Sequence, residues 1–336
     1  MKKLLKKYIP GKMVSLLRRM LSRNERKFAK ACYLADLQRF LKYSGAYGTK
    51  DGVKLEMKIV KEYHVVEKSL TMPERMAGHG AQAVLNLVAS ILEYERLGFD
   101  MKGRQLVHAI GVLKEWISYN KHLISDDLRL ADAVALCDRH TSVPSCPQQH
   151  FTRNDFFALK KAPFPAFAVS RHTVRNYSPE CVDIEKIKTS VETARYAPSA
   201  CNRQYVKVAM ILGREKIDSI LALQGGSRGF GHLATALLIV ISDIRGVGSP
   251  RERNDVYTNG GMFMMALCYA LHYNEVTHCI LNWSKGPEED CMLRRLVSLN
   301  PSEVVVALIA CGEPPDEFDV ALSPRRDIDE LFSIRG

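Results

Sequence analysis

A proline-marked seam near residues 141–165 separates two stretches whose apolar residues repeat with different periods, and no other feature of the chain constrains its fold as much. Thr141-Ser142-Val143-Pro144-Ser145-Cys146-Pro147 reads as a loop, and Pro163 and Pro165 follow closely. Before the seam, Ala83, Val84, Leu87, Val88, Ile91 and Leu92 recur at helical spacing. Leu106, Ile110, Val112, Leu113 and Ile117 do the same, with Gly98 and Gly103 at the turn between the two sets. No alternating strand pattern is visible there, so residues 1–150 read as an all-helical domain of unassigned role. After the seam, helix and strand patterns interleave. Asp183 is a fair N-cap for a helix carrying Ile184, Ile187, Val191 and Ala194. Strands are expected over 206–212, 236–241, 276–281 and 304–309, and helices around 217–221, 256–273 and 288–299. For residues 151–336 this indicates an α+β domain, a mixed or antiparallel sheet flanked by helices.

Charge narrows the function. The 336 residues hold 48 Lys and Arg against 37 Asp and Glu, a formal net charge of +11, which at first suggests a polyanion partner. Residues 1–30 alone carry eleven of those bases and one acid, Glu25, whereas residues 151–336 carry 22 of each sign and are neutral overall. A phosphate track for nucleic acid is therefore not expected in the second domain. Leu4, Leu5, Ile9, Val14, Leu16, Leu17 and Leu21 lie among the first bases, and a basic amphipathic segment of this kind is able to lie on an anionic membrane surface. Arg18 and Arg19 interrupt any signal-like apolar run, and the longest apolar run, near 236–241, falls far short of the roughly 20 residues that span a bilayer. Nine cysteines without regular spacing suit a reducing compartment, so a cytoplasmic protein is expected.

Two short motifs carry the chemistry. In Ser170-Arg171-His172-Thr173-Val174-Arg175, two forked guanidiniums four residues apart, with a hydroxyl between, could grip a phosphate. In Ala197-Pro198-Ser199-Ala200-Cys201-Asn202-Arg203-Gln204, turn residues are followed by two amides able to meet a heterocycle. In this order and spacing, over about residues 165–335, the chain resembles the nitroreductase family of FMN-dependent oxidoreductases. Leu281-Asn282-Trp283, Gly312-Glu313-Pro314 and Ser323-Pro324-Arg325-Arg326 are similar to later family segments. Thr173 stands where Ser is usual, and Tyr205 where Pro is usual after Gln204.

The resemblance implies that Arg171, His172, Thr173, Arg175 and one of Arg325 or Arg326 hold the FMN phosphate and ribityl chain. It implies that Pro198, Ser199, Asn202 and Gln204 approach the flavin, commonly from a partner subunit, because the family's sites lie at a homodimer interface. Asn282 and Trp283 would lie near the flavin's reactive ring nitrogen. NADH or NADPH would serve as co-substrate and a quinone, nitroaromatic or specialised metabolite as acceptor. No catalytic side chain of the protein's own is required, because the flavin carries the chemistry. The alternative is a non-catalytic flavin-fold binding or assembly protein whose helical half docks a partner.

Other patterns in the chain carry less. Gly226-Ser227-Arg228-Gly229-Phe230-Gly231 has the wrong glycine spacing for a dinucleotide turn and precedes a strand, although Arg228 could meet an anionic substrate. Cys137, His140, Cys146 and His150 alternate in a way unlike two-Cys, two-His zinc sites, so no metal is expected. His64, Glu67, Lys68 and Gly78-His79-Gly80 form a polar cluster with two open roles, covering the flavin domain or meeting a partner.

Overall fold

A computed structural model describes residues 11–48, 51–124 and 128–335. The longer elements are helices α1 (Gly11–Tyr43), α2 (Gly52–Leu70), α3 (Ala81–Arg96), α4 (Arg104–Tyr119) and α5 (Ala131–Arg139), strand β1 (Gln149–Thr152), and helices α6 (Arg153–Phe157), α7 (Phe164–Ser170) and α8 (Ile184–Ala194). Strand β2 (Val206–Ile211), α9 (Arg214–Gln224), β3 (Ala236–Asp243), α10 (Asp255–Tyr273), β4 (Thr277–Asn282), α11 (Pro287–Val297), β5 (Glu303–Gly312), β6 (Glu317–Val320) and α12 (Ile328–Leu331) follow.

In the helical half, α2 begins where the Asp51 carboxylate accepts the Lys54 backbone N–H at 3.0 Å. Leu55, Ile59, Val66 and Leu70 recur on one face and pack with Leu87, Ile91, Leu113, Trp116 and Leu136 from α3, α4 and α5. The Trp116 indole N–H donates to the His79 carbonyl at 2.8 Å, so burying the ring leaves no unpaired polar atom. Helix α1 touches the rest through the Arg253–Asp36 ion pair and through Arg251 stacked 4.5 Å from the Phe28 ring centroid. Leu34, Leu37 and Phe40 stay exposed on it. The membrane contact expected for residues 1–30 concerns a segment whose first ten residues lie outside the described residues. Among the described residues, no helix is long and apolar enough to cross a membrane.

The main sheet has the order β2-β3-β5-β4, and every neighbouring pair is antiparallel. This narrows the expected mixed or antiparallel sheet. The β3–α10–β4 connection returns the chain in the same direction, and β5 inserts between those two strands. Strand β3 is apolar without alternation because both its faces are covered. Leu237, Ile239 and Ile241 pack with Ile217, Ile220 and Leu293 from α9 and α11. Ala236, Leu238 and Val240 pack on the other face with Phe263, Leu267 and Leu271 from α10 and with α8.

A second sheet pairs β1 with β6, setting Phe151 opposite Phe318. Neither strand is visible in the sequence pattern, and β1 begins inside the stretch read as all-helical. Four residues are too few to show a period, and what stabilises the ribbon is Phe151, Phe156 and Phe318 meeting across it. Met72 from the helical half joins the core of the second half, where it packs against Gly229; a Cβ on that glycine would lie 2.9 Å from the Met72 sulfur.

Candidate active site

After α7 ends, residues 171–177 run extended beside β4, anchored by the Val174 N–H donating to the His278 carbonyl at 3.1 Å. Tyr177 is buried beneath, its hydroxyl donating to the Val174 and Ala310 carbonyls at 3.0 and 3.2 Å. The ring lies against Gly312, where a Cβ would come 2.6 Å from the Tyr177 Cβ, so no other residue fits that position without displacing the strand. This seating turns Arg171, His172, Thr173 and Arg175 toward one cleft of about 250 Å³. Ile280 of β4 forms part of its lining, Ala321 to Ser323 and Arg325 return from β6, and His64 of α2 reaches in from the helical half. A neighbouring depression of about 470 Å³ shares Arg171, His172 and Arg325 and continues along α7 and α10 past Tyr269.

The cleft is cationic. Arg175 is only 8% exposed, and among the described residues it has no carboxylate partner; its Nη2 lies 3.4 Å from the His64 Nε2. Among the described residues Arg171 likewise has none, and Arg325 donates to the Ser323 carbonyl at 2.5 Å. A buried guanidinium without a counter-ion carries a desolvation penalty of several kcal/mol, which a bound anion would offset. His172 is held below its ordinary pKa by burial and by the Arg171 and Arg325 charges, so it presents a neutral ring packed against Phe151.

His64 is positioned by Glu67, one helical turn on. The Glu67 carboxylate, fully buried, lies 2.6 Å from His108 Nε2 and 3.4 Å from His64 Nδ1, and it accepts the Ser323 N–H at 3.3 Å. Burial alone would raise its pKa, but the hydrogen bonds from the two histidines outweigh that and hold it at about 2. Burial disfavours the His108 imidazolium, whereas hydrogen bonds to the Cys146 sulfur and to Glu67 favour it more and lift it to about 9. Ser323 takes a left-handed φ of +43°, and its N–H meets Glu67 from that strained backbone. The helical half thus contributes directly to the cleft wall. The sequence singled out His64, Glu67 and Lys68 but left their role open.

Other expected site residues lie elsewhere. Arg326 turns away, donating to Glu56 Oε1 at 2.5 Å and pairing with Glu330, which leaves Arg325 as the carboxyl-terminal guanidinium of the cleft. Pro198, Ser199 and Gln204 line a separate recess of about 110 Å³ with Asn259 and Phe263. Three residues of that motif, Cys201, Asn202 and Gln204, have φ between +48° and +53°. The Gln204 amide donates to the Asn202 side chain at 2.9 Å, so within one chain the two amides satisfy each other. Tyr205 is accommodated by the absent side chain of Gly246, where a Cβ would come 2.4 Å from the ring, and its hydroxyl accepts from Asn259. Asn282 offers its carbonyl to Gln224 at 3.0 Å, and the Trp283 indole donates to Asp290 at 3.1 Å; neither lines the arginine cleft. Arg228 lines a different cleft, of about 270 Å³, to which α2 contributes Val65, Lys68 and Ser69. Among the described residues, no group of three or more His, Cys, Asp or Glu is placed to hold a metal.

Residues 168–227 match the model of the Nitroreductase family. Among solved structures the chain is similar to a proposed NADH oxidase from Clostridium acetobutylicum, at 18% identity over 51% of this chain and 99% of that one, with a TM-score of 0.44. It is also similar to a proposed nitroreductase in complex with FMN from Desulfovibrio desulfuricans, at 21% identity over 52% and 97% of the two chains, TM-score 0.43. A third is a proposed NAD(P)H:FMN oxidoreductase from Staphylococcus epidermidis, at 16% identity over 52% and 96%, TM-score 0.46. No match was found among curated proteins. The stretch that carries both motifs, the arginine pair and the Ala197–Gln204 turn, is of the nitroreductase family.

Proposed function

We propose that this protein is an FMN-dependent oxidoreductase that uses NADH or NADPH to reduce a small-molecule acceptor. One observation carries the reading: the nitroreductase-family stretch places Arg171, Thr173 and a buried, carboxylate-free Arg175 around the same cleft as Arg325. The donor set fits the group. Three guanidiniums and a hydroxyl converge on the cleft, and among the described residues no carboxylate lines it, as a phosphomonoester carrying about two negative charges requires. In this reading Arg171, Arg175 and Arg325 hold the phosphate and Thr173 its ester or ribityl oxygens. Neutral His172 adds a donor without a competing titration. FMN held by these residues would supply two-electron redox chemistry between a reduced nicotinamide and the acceptor.

The protein's own part is to bind, orient and exclude water. The separate placement of Ser199 and Gln204 supports a homodimer in which each protomer lends that turn to its partner's site. Purified full-length protein should be yellow, with a flavin spectrum that NADH or NADPH bleaches under anaerobic conditions. Colourless protein that takes up no added FMN would overturn the proposal and favour a binding or assembly role.

A further inference from the structure

The cleft of about 270 Å³ that Arg228 lines is built jointly by the two halves of the chain. Lys68 and His79 face it from the helical half, with Val65 and Met72 as its apolar part, and Arg228 faces it from the loop after α9. Among the described residues, no carboxylate lines it. Among the described residues neither Lys68 nor Arg228 has an acidic partner, and Lys68 is half-buried. Burial first, then the Arg175 and Arg228 charges, hold the Lys68 ammonium below its ordinary pKa, so these cations repel one another as they stand. The loop is held in place. Gly229 packs on Met72, and the Gln224 side chain bridges the Asn282 carbonyl, at 3.0 Å, and the Gly226 N–H, at 2.6 Å. That bridge joins the cleft floor to the strand end at Asn282. Lys68, which lines this cleft, also feels the charge of Arg175 in the phosphate cleft.

We propose that this cleft is the acceptor site and that it selects a small organic anion, a carboxylate or phosphate ester held between Lys68 and Arg228 with His79 as a further donor. The inference rests on the flavin reading for the word acceptor, but the anion site stands on its own geometry. It also assigns a purpose to the helical half, which supplies half of the specificity pocket as well as one wall of the phosphate cleft.

The test uses the full-length protein and three nitroaromatic probes of similar size: 4-nitrobenzoate, 4-nitrophenyl phosphate and neutral 4-nitrobenzamide. With FMN-loaded protein, kcat/KM should favour at least one anionic probe over the amide. The preferred anion distinguishes carboxylate from phosphate recognition. Lys68→Met and Arg228→Met should each reduce that preference about tenfold, as loss of one charge-assisted hydrogen bond would. Because Arg228 is exposed, its replacement leaves the core intact. An unchanged preference in both variants overturns the proposal. So does an effect confined to the KM for NADH or NADPH, which would make the cleft a nicotinamide site. Calorimetric titration of 4-nitrobenzoate and of 4-nitrophenyl phosphate into flavin-free protein separates the two readings. Binding that is lost in the double variant of a protein unable to take FMN keeps the anion site and removes the flavin.

Discussion

Arg175 and Glu67 are both buried, and the fold answers them differently. Glu67 is met by His108, His64 and the Ser323 N–H, whereas Arg175 is met by the His64 ring and the Cys279 sulfur, neither of them a carboxylate, and lines the cleft. Replacing Arg171 or Arg175 by Ala should weaken FMN binding by about 1.5–3 kcal/mol, read by flavin fluorescence titration. Replacing Glu67 by Gln leaves a buried imidazolium unpaired and should lower stability by about 3–5 kcal/mol in chemical denaturation.

The same residues shape the pH profile. His108 lies above its ordinary 6.5, so its contribution is complete below that pH and is lost as the pH rises through about 9. Glu67 lies below its ordinary 4.5, so its contribution is present above that pH and fades toward about 2. His272 and His278 are buried and held at about 3 and 4, mainly by burial, so their neutral forms support the fold and that support falls as the pH drops below 6.5. The thermal midpoint should therefore peak near pH 6.5 and decline on both sides. A midpoint still rising from pH 6.5 to pH 9 would contradict the His108–Glu67 assignment.

At the scale of elements, helices α3, α4 and α8 to α11 and the four strands of the main sheet were legible, because burial leaves a pattern of apolar residues in each. Strand β3 reads as an unbroken apolar run because helices cover both its faces, and Asp183 announces α8 through a cap bond of 2.9 Å to the Glu185 N–H. Strands β1 and β6 were not legible, since each is four residues long and is defined by its partner across the chain. Packing between elements also sets a limit at Gly260, where α10 crosses β5. A Cβ there would lie 2.5 Å from a Val306 methyl. Gly260→Ala should be destabilised by about 1–3 kcal/mol in thermal or denaturant unfolding. Val306→Ala in the same chain should recover part of that loss, because it removes the atoms that clash.

For the whole molecule, the spacing of the two motifs carries a prediction about assembly. Ser199 and Gln204 line a recess apart from the arginine cleft, so light scattering should give twice the chain mass if a partner protomer supplies that turn. A monomer that still binds FMN at full affinity would remove that role for Ser199 and Gln204.

By itself the sequence determined the α+β character of the second half and the residue types able to grip a phosphate. These depend on local period and side-chain chemistry, which neighbouring residues reveal. Only the tertiary structure decided that Arg325 and not Arg326 faces the cleft, that His64 completes its wall, and that Glu67 and His108 form a buried pair. Those choices depend on which side chains meet across separations of forty to more than two hundred residues, and no local pattern records such a meeting.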